Sequence, residues 1–198
     1  MARLQADWRG SRSLAYGLVV VLLASAVVAM YYLNHPQPEI NPDTSSYLKV
    51  TQKILHGGQL VDSVRTPGYP LFVALVFLAA GEGNLLAVSI VQGVLFVLAT
   101  LEVYFIALLV LRRSGIACVI GLLVVTNTYL LSYAKPVIVE GASIWVVASL
   151  GLAIVWCIQS LRVSTFWLVA LFMLLALMTR PEWIFFPPPI CASLLWVA

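Results

Sequence analysis

Charge is scarce in this chain: 10% of its 198 residues are Asp, Glu, Lys or Arg, against about 25% in soluble domains, while 62% are hydrophobic. A soluble core cannot absorb that much apolar surface, so the composition excludes an ordinary globular domain and makes lipid the solvent. A clustered basic face is missing too. The net charge of +3 is small and dispersed, which excludes nucleic acid as a partner. Cys118, Cys157 and Cys191 stand far apart in apolar runs with no neighbouring Cys or His, so zinc spacing and a disulfide framework are excluded and the thiols pack. The first apolar run, 14–33, follows Arg3, Arg9 and Arg12 but lacks a small-residue cleavage site, ending in Met30-Tyr31-Tyr32-Leu33. It is also longer than the roughly 7–15 residues of a signal-peptide core, so it reads as a retained first helix. No internal repeat or low-complexity segment is present.

What the chain does have is a series of apolar runs, at 69–81, 85–111, 115–134, 141–159, 163–178 and 183–198, and one long polar stretch, 34–67, that holds both histidines. The 69–81 run is too short for a span of roughly 17–25 residues and suits an interfacial or re-entrant segment. If it does not cross and the N-terminus is cytoplasmic, Arg112, Arg113 and Arg162 also fall on the cytoplasmic side, as the positive-inside rule favours. The expectation is an all-α polytopic membrane protein, a single membrane domain over 1–198 with about six transmembrane helices. One large external first loop, 34–84, carries an amphipathic interfacial helix and the short re-entrant segment. Glu102 is expected to snorkel towards Arg112 or Arg113, and Pro187-Pro188-Pro189 to break the last helix.

Within the loop, Asn41-Pro42-Asp43-Thr44 reads as a helix start with Asp43 as the cap, and Gly57-Gly58 as its stop. Tyr47, Val50, Thr51, Ile54 and Leu55 recur at helical spacing, with Lys49, Gln52 and Lys53 facing elsewhere, so the helix is expected to lie flat on the bilayer. Asp43 at its head is either an N-cap or a general base towards an acceptor hydroxyl or amine. In Arg65-Thr66-Pro67-Gly68-Tyr69-Pro70 the prolines and glycine fix a turn that holds Arg65 at the headgroup boundary, as a lipid anchor or as a fork for a donor phosphate. Glu140, beside Lys135-Pro136, pairs with Lys135 or Arg180, or faces a cavity shared with Asp43. Arg180-Pro181-Glu182 is a salt-bridged cap or a second cationic contact.

Taken together these motifs resemble the integral-membrane GT-C glycosyltransferases, the superfamily of protein O-mannosyltransferases and bacterial lipid A aminoarabinose transferases. Asn41-Pro42-Asp43 with Tyr47 is similar to the family's first-loop Pro-Asp motif and following tyrosine. Arg65-Thr66-Pro67-Gly68-Tyr69-Pro70-Leu71 resembles its Arg-x-Pro-x-Tyr-Pro stretch. Glu140 falls where relatives carry an acidic residue in the next external loop, and Thr179-Arg180-Pro181-Glu182 is similar to their Thr-Arg/Lys-Pro-Glu-like element.

The resemblance implies transfer of a sugar from a polyprenyl-phosphate donor on the external face of a membrane, the bacterial inner membrane. Asp43 is then the catalytic residue, Arg65 and Arg180 bind the donor phosphate, and Tyr47, Glu140, Tyr69 and Glu182 line the acceptor cavity. Thr44 stands where many relatives have a second acid, which leaves a divalent cation open. The chain ends inside an apolar run where relatives continue, so a part-length chain is expected. Two other functions stay open: a transporter or lipid flippase, which would place ionisable residues at membrane depth, and a non-catalytic membrane subunit with Asp43 a mere cap.

Overall fold

A computed structural model describes residues 10–58, 65–185 and 187–190. The described residues are all-α, in the order α1 (Ser11–Asn34), α2 (Thr44–Gly57), α3 (Gly68–Ala80), α4 (Leu85–Leu111), α5 (Ser114–Val125), α6 (Thr128–Ser132), α7 (Val139–Ser160) and α8 (Val163–Thr179), then a 3-10 turn at Pro181–Phe185. α1, α4 and α7 are long and apolar enough to cross a membrane. At 1.5 Å per residue, the 24 residues of α1 reach about 36 Å, beyond the roughly 30 Å of a hydrocarbon core. The chain is an integral membrane protein.

Packing inverts the pattern of a soluble bundle. On α1 the buried stripe is Ser13, Gly17, Val20 and Ala24, while Leu14, Leu18, Leu22 and Leu33 face outward. On α4 the inward residues include Ser89, Gln92, Ala99, Thr100 and Ala107, with Leu86, Ile90, Val94 and Leu98 outside. Lipid solvates leucine as well as a protein core does, so small and polar residues go where helices must approach and hydrogen-bond. α4 is the central helix, packed on α1, α5 and α7, and α7 carries α8.

Two hydrogen-bonded levels fix the direction of the helices. Near one end the Tyr104 hydroxyl of α4 donates to the Ser13 carbonyl of α1 at 2.6 Å. Near the other, the Tyr32 hydroxyl of α1 donates to the Ser89 carbonyl of α4. From Ser13 to Tyr32 is about 28 Å along the helix, close to a hydrocarbon thickness. α3 begins beside Gln92, through the 3.0 Å bond from the Tyr69 hydroxyl, and its Ala80 end turns directly into Leu85. Both ends of α3 therefore lie in the half of the bundle that carries α2.

Two expectations need correction. The 115–134 run is not one helix: α5 stops at Val125, and Asn127 starts α6 by accepting from the Leu130 N–H at 3.0 Å. A side chain that caps so well competes with the continuing helix. Glu102 does not turn to Arg112 or Arg113 but accepts from the Ser149 hydroxyl of α7 at 2.8 Å, a nearer partner across the α4–α7 contact. The final run opens as the 3-10 turn Pro181–Phe185 and a further helical turn at 187–190, so the prolines sit in a broken start; its remainder, with Cys191, lies outside the described residues.

Candidate functional site

The site is built on a strap. Residues 134–138 are buried without forming a helix, a conformation tolerable near lipid only where protein satisfies the backbone. Partners come from three helices. The Tyr32 hydroxyl lies 3.1 Å from the Ala134 carbonyl, and Ser89 donates to Lys135 O at 2.7 Å. Gln92 donates to Pro136 O at 3.0 Å, and Thr44 donates to Val137 O at 3.0 Å. Gly141 lets the strap close, since a Cβ there would overlap the Gln92 amide and come within 2.7 Å of the Tyr133 carbonyl. The strap delivers Glu140 at the head of α7.

α2 forms where predicted, and Gly58 ends it in the left-handed region at φ 63, its N–H on Lys53 O. Asp43 holds the N-cap position, yet its carboxylate does not cap: φ −73 and ψ −22 are already helical, and the side chain turns to Arg65. The expected cap is thus corrected. Asn41 and Thr44 tie down the entry instead, through Asn41 N–H to Thr44 Oγ1 at 2.9 Å and Asp43 N–H to Asn41 Oδ1 at 3.2 Å.

Arg65 binds three residues at the head of α2. Its Nη2 donates to Asp43 Oδ1, its Nε to Ser46 Oγ at 2.9 Å and its Nη1 to the Tyr47 hydroxyl at 3.2 Å, with the guanidinium 4.4 Å from the Tyr47 ring centroid. The planar fork engages all three partners at once. Arg180 makes the second pair, donating to Glu140 Oε1, so of the two partners expected for Glu140 it is Arg180 that the structure supplies. The pairs are neighbours because the Thr66 hydroxyl donates to Thr179 O at 2.8 Å. A Cβ on Gly68 would stand 2.5 Å from the Met178 carbonyl oxygen, so only glycine lets the 65–68 turn lie against the end of α8.

Tyr47 sits between the pairs. Burial pushes its hydroxyl above the usual tyrosine value, against Arg65, with Glu140 and Asp43 adding to the rise and Arg180 opposing it. It stays protonated at neutral pH, a hydrogen-bonding group and not a base. Beneath it Tyr69 is wholly buried, with ring centroids 4.9 Å apart, edge to face. Tyr69 supports Tyr47 through packing and Gln92; Glu182 is exposed on the 3-10 turn and belongs to neither pair. Beside Arg65 a groove of 720 Å³ runs along α2 past Ser46, Lys49, Lys53 and His56.

The divalent cation left open by the sequence finds a poor donor set. No three His, Cys, Asp or Glu side chains converge among the described residues, and Asp43 and Glu140 are each engaged by an arginine. Sequence reasoning missed the Glu39–Lys135 pair, N to O 3.3 Å, in which a lysine 2% exposed also lies 5.6 Å from the Tyr31 ring centroid. It missed the strap's partners as well. Their signal was available: Ser89 and Gln92 are polar, three apart and on one helical face of an apolar run. Comparison with family models, curated proteins and solved structures gives no match.

Proposed function

We propose that the chain builds a membrane-embedded glycosyltransferase site at the α2 end of the bundle, moving a sugar from a polyprenyl-phosphate donor to a lipid, glycan or protein acceptor. The observation that carries the reading is convergence: Asp43–Arg65 and Glu140–Arg180, from four separate segments that resemble GT-C motifs, flank Tyr47 at one end. The reading also assigns sides. Arg12, Arg112, Arg113 and Arg162 belong to the opposite end, where no described acidic residue stands, which makes that end cytoplasmic and the α2 end external. Residues 34–84 are then the external loop, with α2 its interfacial helix. α1, α4, α5 with α6, α7 and α8 are then five crossings.

In this scheme Arg65 and Arg180 bind the donor phosphate, which gains charge as its bond to the sugar breaks. The phosphate competes with Asp43 for the Arg65 guanidinium and frees the carboxylate. Asp43 takes the proton of the acceptor hydroxyl or amine as that atom attacks the anomeric carbon. The bond from that carbon to the phosphate oxygen breaks, polyprenyl phosphate leaves with the electron pair, and the anomeric centre inverts. Glu140 and the Tyr47 hydroxyl orient the acceptor, with Glu182 at the rim.

The test is transfer of labelled sugar from a polyprenyl-phosphate donor in membranes carrying the chain. Asp43→Asn is expected to lower it about 100-fold or more with insertion unchanged. Equal transfer by the variant reduces Asp43 to a structural partner of Arg65, and a product of retained configuration removes direct displacement. A wild-type chain inert towards every such donor moves the reading to a transporter or a structural subunit.

A further inference from the structure

The opposite end of the bundle holds a second polar cavity. It measures 410 Å³ and lies between the start of α1 and the α4–α5 turn, lined by Arg12, Arg112 and Arg113 together with Ser11, Ser114 and Leu108. All three arginines are exposed, and none has an ion pair among the described residues, where every acidic residue but Glu102 belongs to the other end. Glu102 is engaged by Ser149 on α7.

Three like charges around one hollow repel one another and are stable together only if an anion or water screens them. The setting selects the anion. The hollow opens at the end of the membrane-spanning helices α1 and α4, with Leu108 in its wall, which is headgroup depth. The first turns of α1 and α5 border it without side-chain caps and add their positive ends to the same field. Arginine's fork matches a phosphate diester, and basic pockets between membrane helices suit anionic headgroups.

We propose that this cavity is a binding site for the phosphate-diester headgroup of an anionic phospholipid, held by Arg12, Arg112 and Arg113. The site is separate from Asp43, Arg65, Glu140 and Arg180, and it does not depend on the glycosyltransferase reading.

The experiment reconstitutes the full chain in bilayers of phosphatidylcholine with a minority of phosphatidylglycerol and compares immobilised spin-labelled phosphatidylglycerol with spin-labelled phosphatidylcholine. The wild type is expected to favour phosphatidylglycerol several-fold, each arginine contributing up to about fivefold. The triple variant R12Q/R112Q/R113Q is expected to bring the ratio near one, and Lys49→Gln with Lys53→Gln, at the other end, to leave it unchanged. Circular dichroism and a monodisperse elution profile establish that the triple variant is folded; if it is not, the single Arg113→Gln variant is expected to reduce the ratio. A wild-type ratio near one overturns the proposal, as does a ratio that survives loss of the arginines in folded protein. Inorganic phosphate that abolishes the preference at constant ionic strength assigns the cavity to a soluble anion and overturns the lipid assignment.

Discussion

The two ends of this bundle treat arginine in opposite ways. At the α2 end Arg65 and Arg180 each hold a carboxylate, and the buried Lys135 has Glu39. At the other end Arg12, Arg112 and Arg113 share a cavity with no acid among the described residues that line it. A paired cation near lipid is fixed in place and its charge is largely cancelled; an unpaired one keeps its field and awaits a mobile partner. One end is organised by its own chain and the other by what surrounds it.

Five measurements of folded stability in a lipid or detergent environment test that contrast. The largest effect is expected from Glu39→Gln, which leaves the 2% exposed Lys135 without a counter-charge and is expected to cost about 3 kcal/mol. Lys135→Met, which removes the buried charge and leaves a half-exposed carboxylate to water, is expected to cost less than about 1 kcal/mol. The reverse order would mean that Lys135 matters through packing. Next comes Gly68→Ala, expected to cost about 2 kcal/mol because the Met178 backbone cannot retreat as a side-chain tip can.

A double-mutant cycle of Glu140→Gln with Arg180→Gln is expected to give a coupling of about 1 kcal/mol, since both side chains are about a third exposed. A coupling of zero would make the α2 end no more self-contained than the other. The smallest effect is Arg112→Gly. Arg112 closes α4 at φ 56, a left-handed conformation that glycine adopts freely, so the variant is expected to gain about 0.5 kcal/mol. A loss in detergent free of phospholipid would reveal a partner for Arg112 within the chain.

Helices were legible from the sequence where a single local rule governed them. α2 follows from its apolar spacing and Gly58, α8 from a run bounded by Arg162 and Arg180, and the short α3 from a run too brief to cross. The failures share a cause. Asp43 looked like a cap because caps are decided by neighbours in sequence, whereas a partner 22 residues away outbid the local N–H groups. Glu102 was assigned to arginines down its own helix and found Ser149 on another. The four site residues were each singled out by motif, yet nothing local could say which acid meets which base.

Composition and run length alone pointed to helices in lipid, because lipid admits long apolar segments only with their backbone bonds closed internally. The sequence also shows where polar residues interrupt those segments. The pairing of Asp43 with Arg65 and Glu140 with Arg180 came from the packed fold, as did the buried strap between α6 and α7 that carries Glu140. Those depend on Gln92, Ser89 and Thr44 meeting carbonyls some 44 to 93 residues away in the chain, a register set by the close packing of α1, α4 and α7.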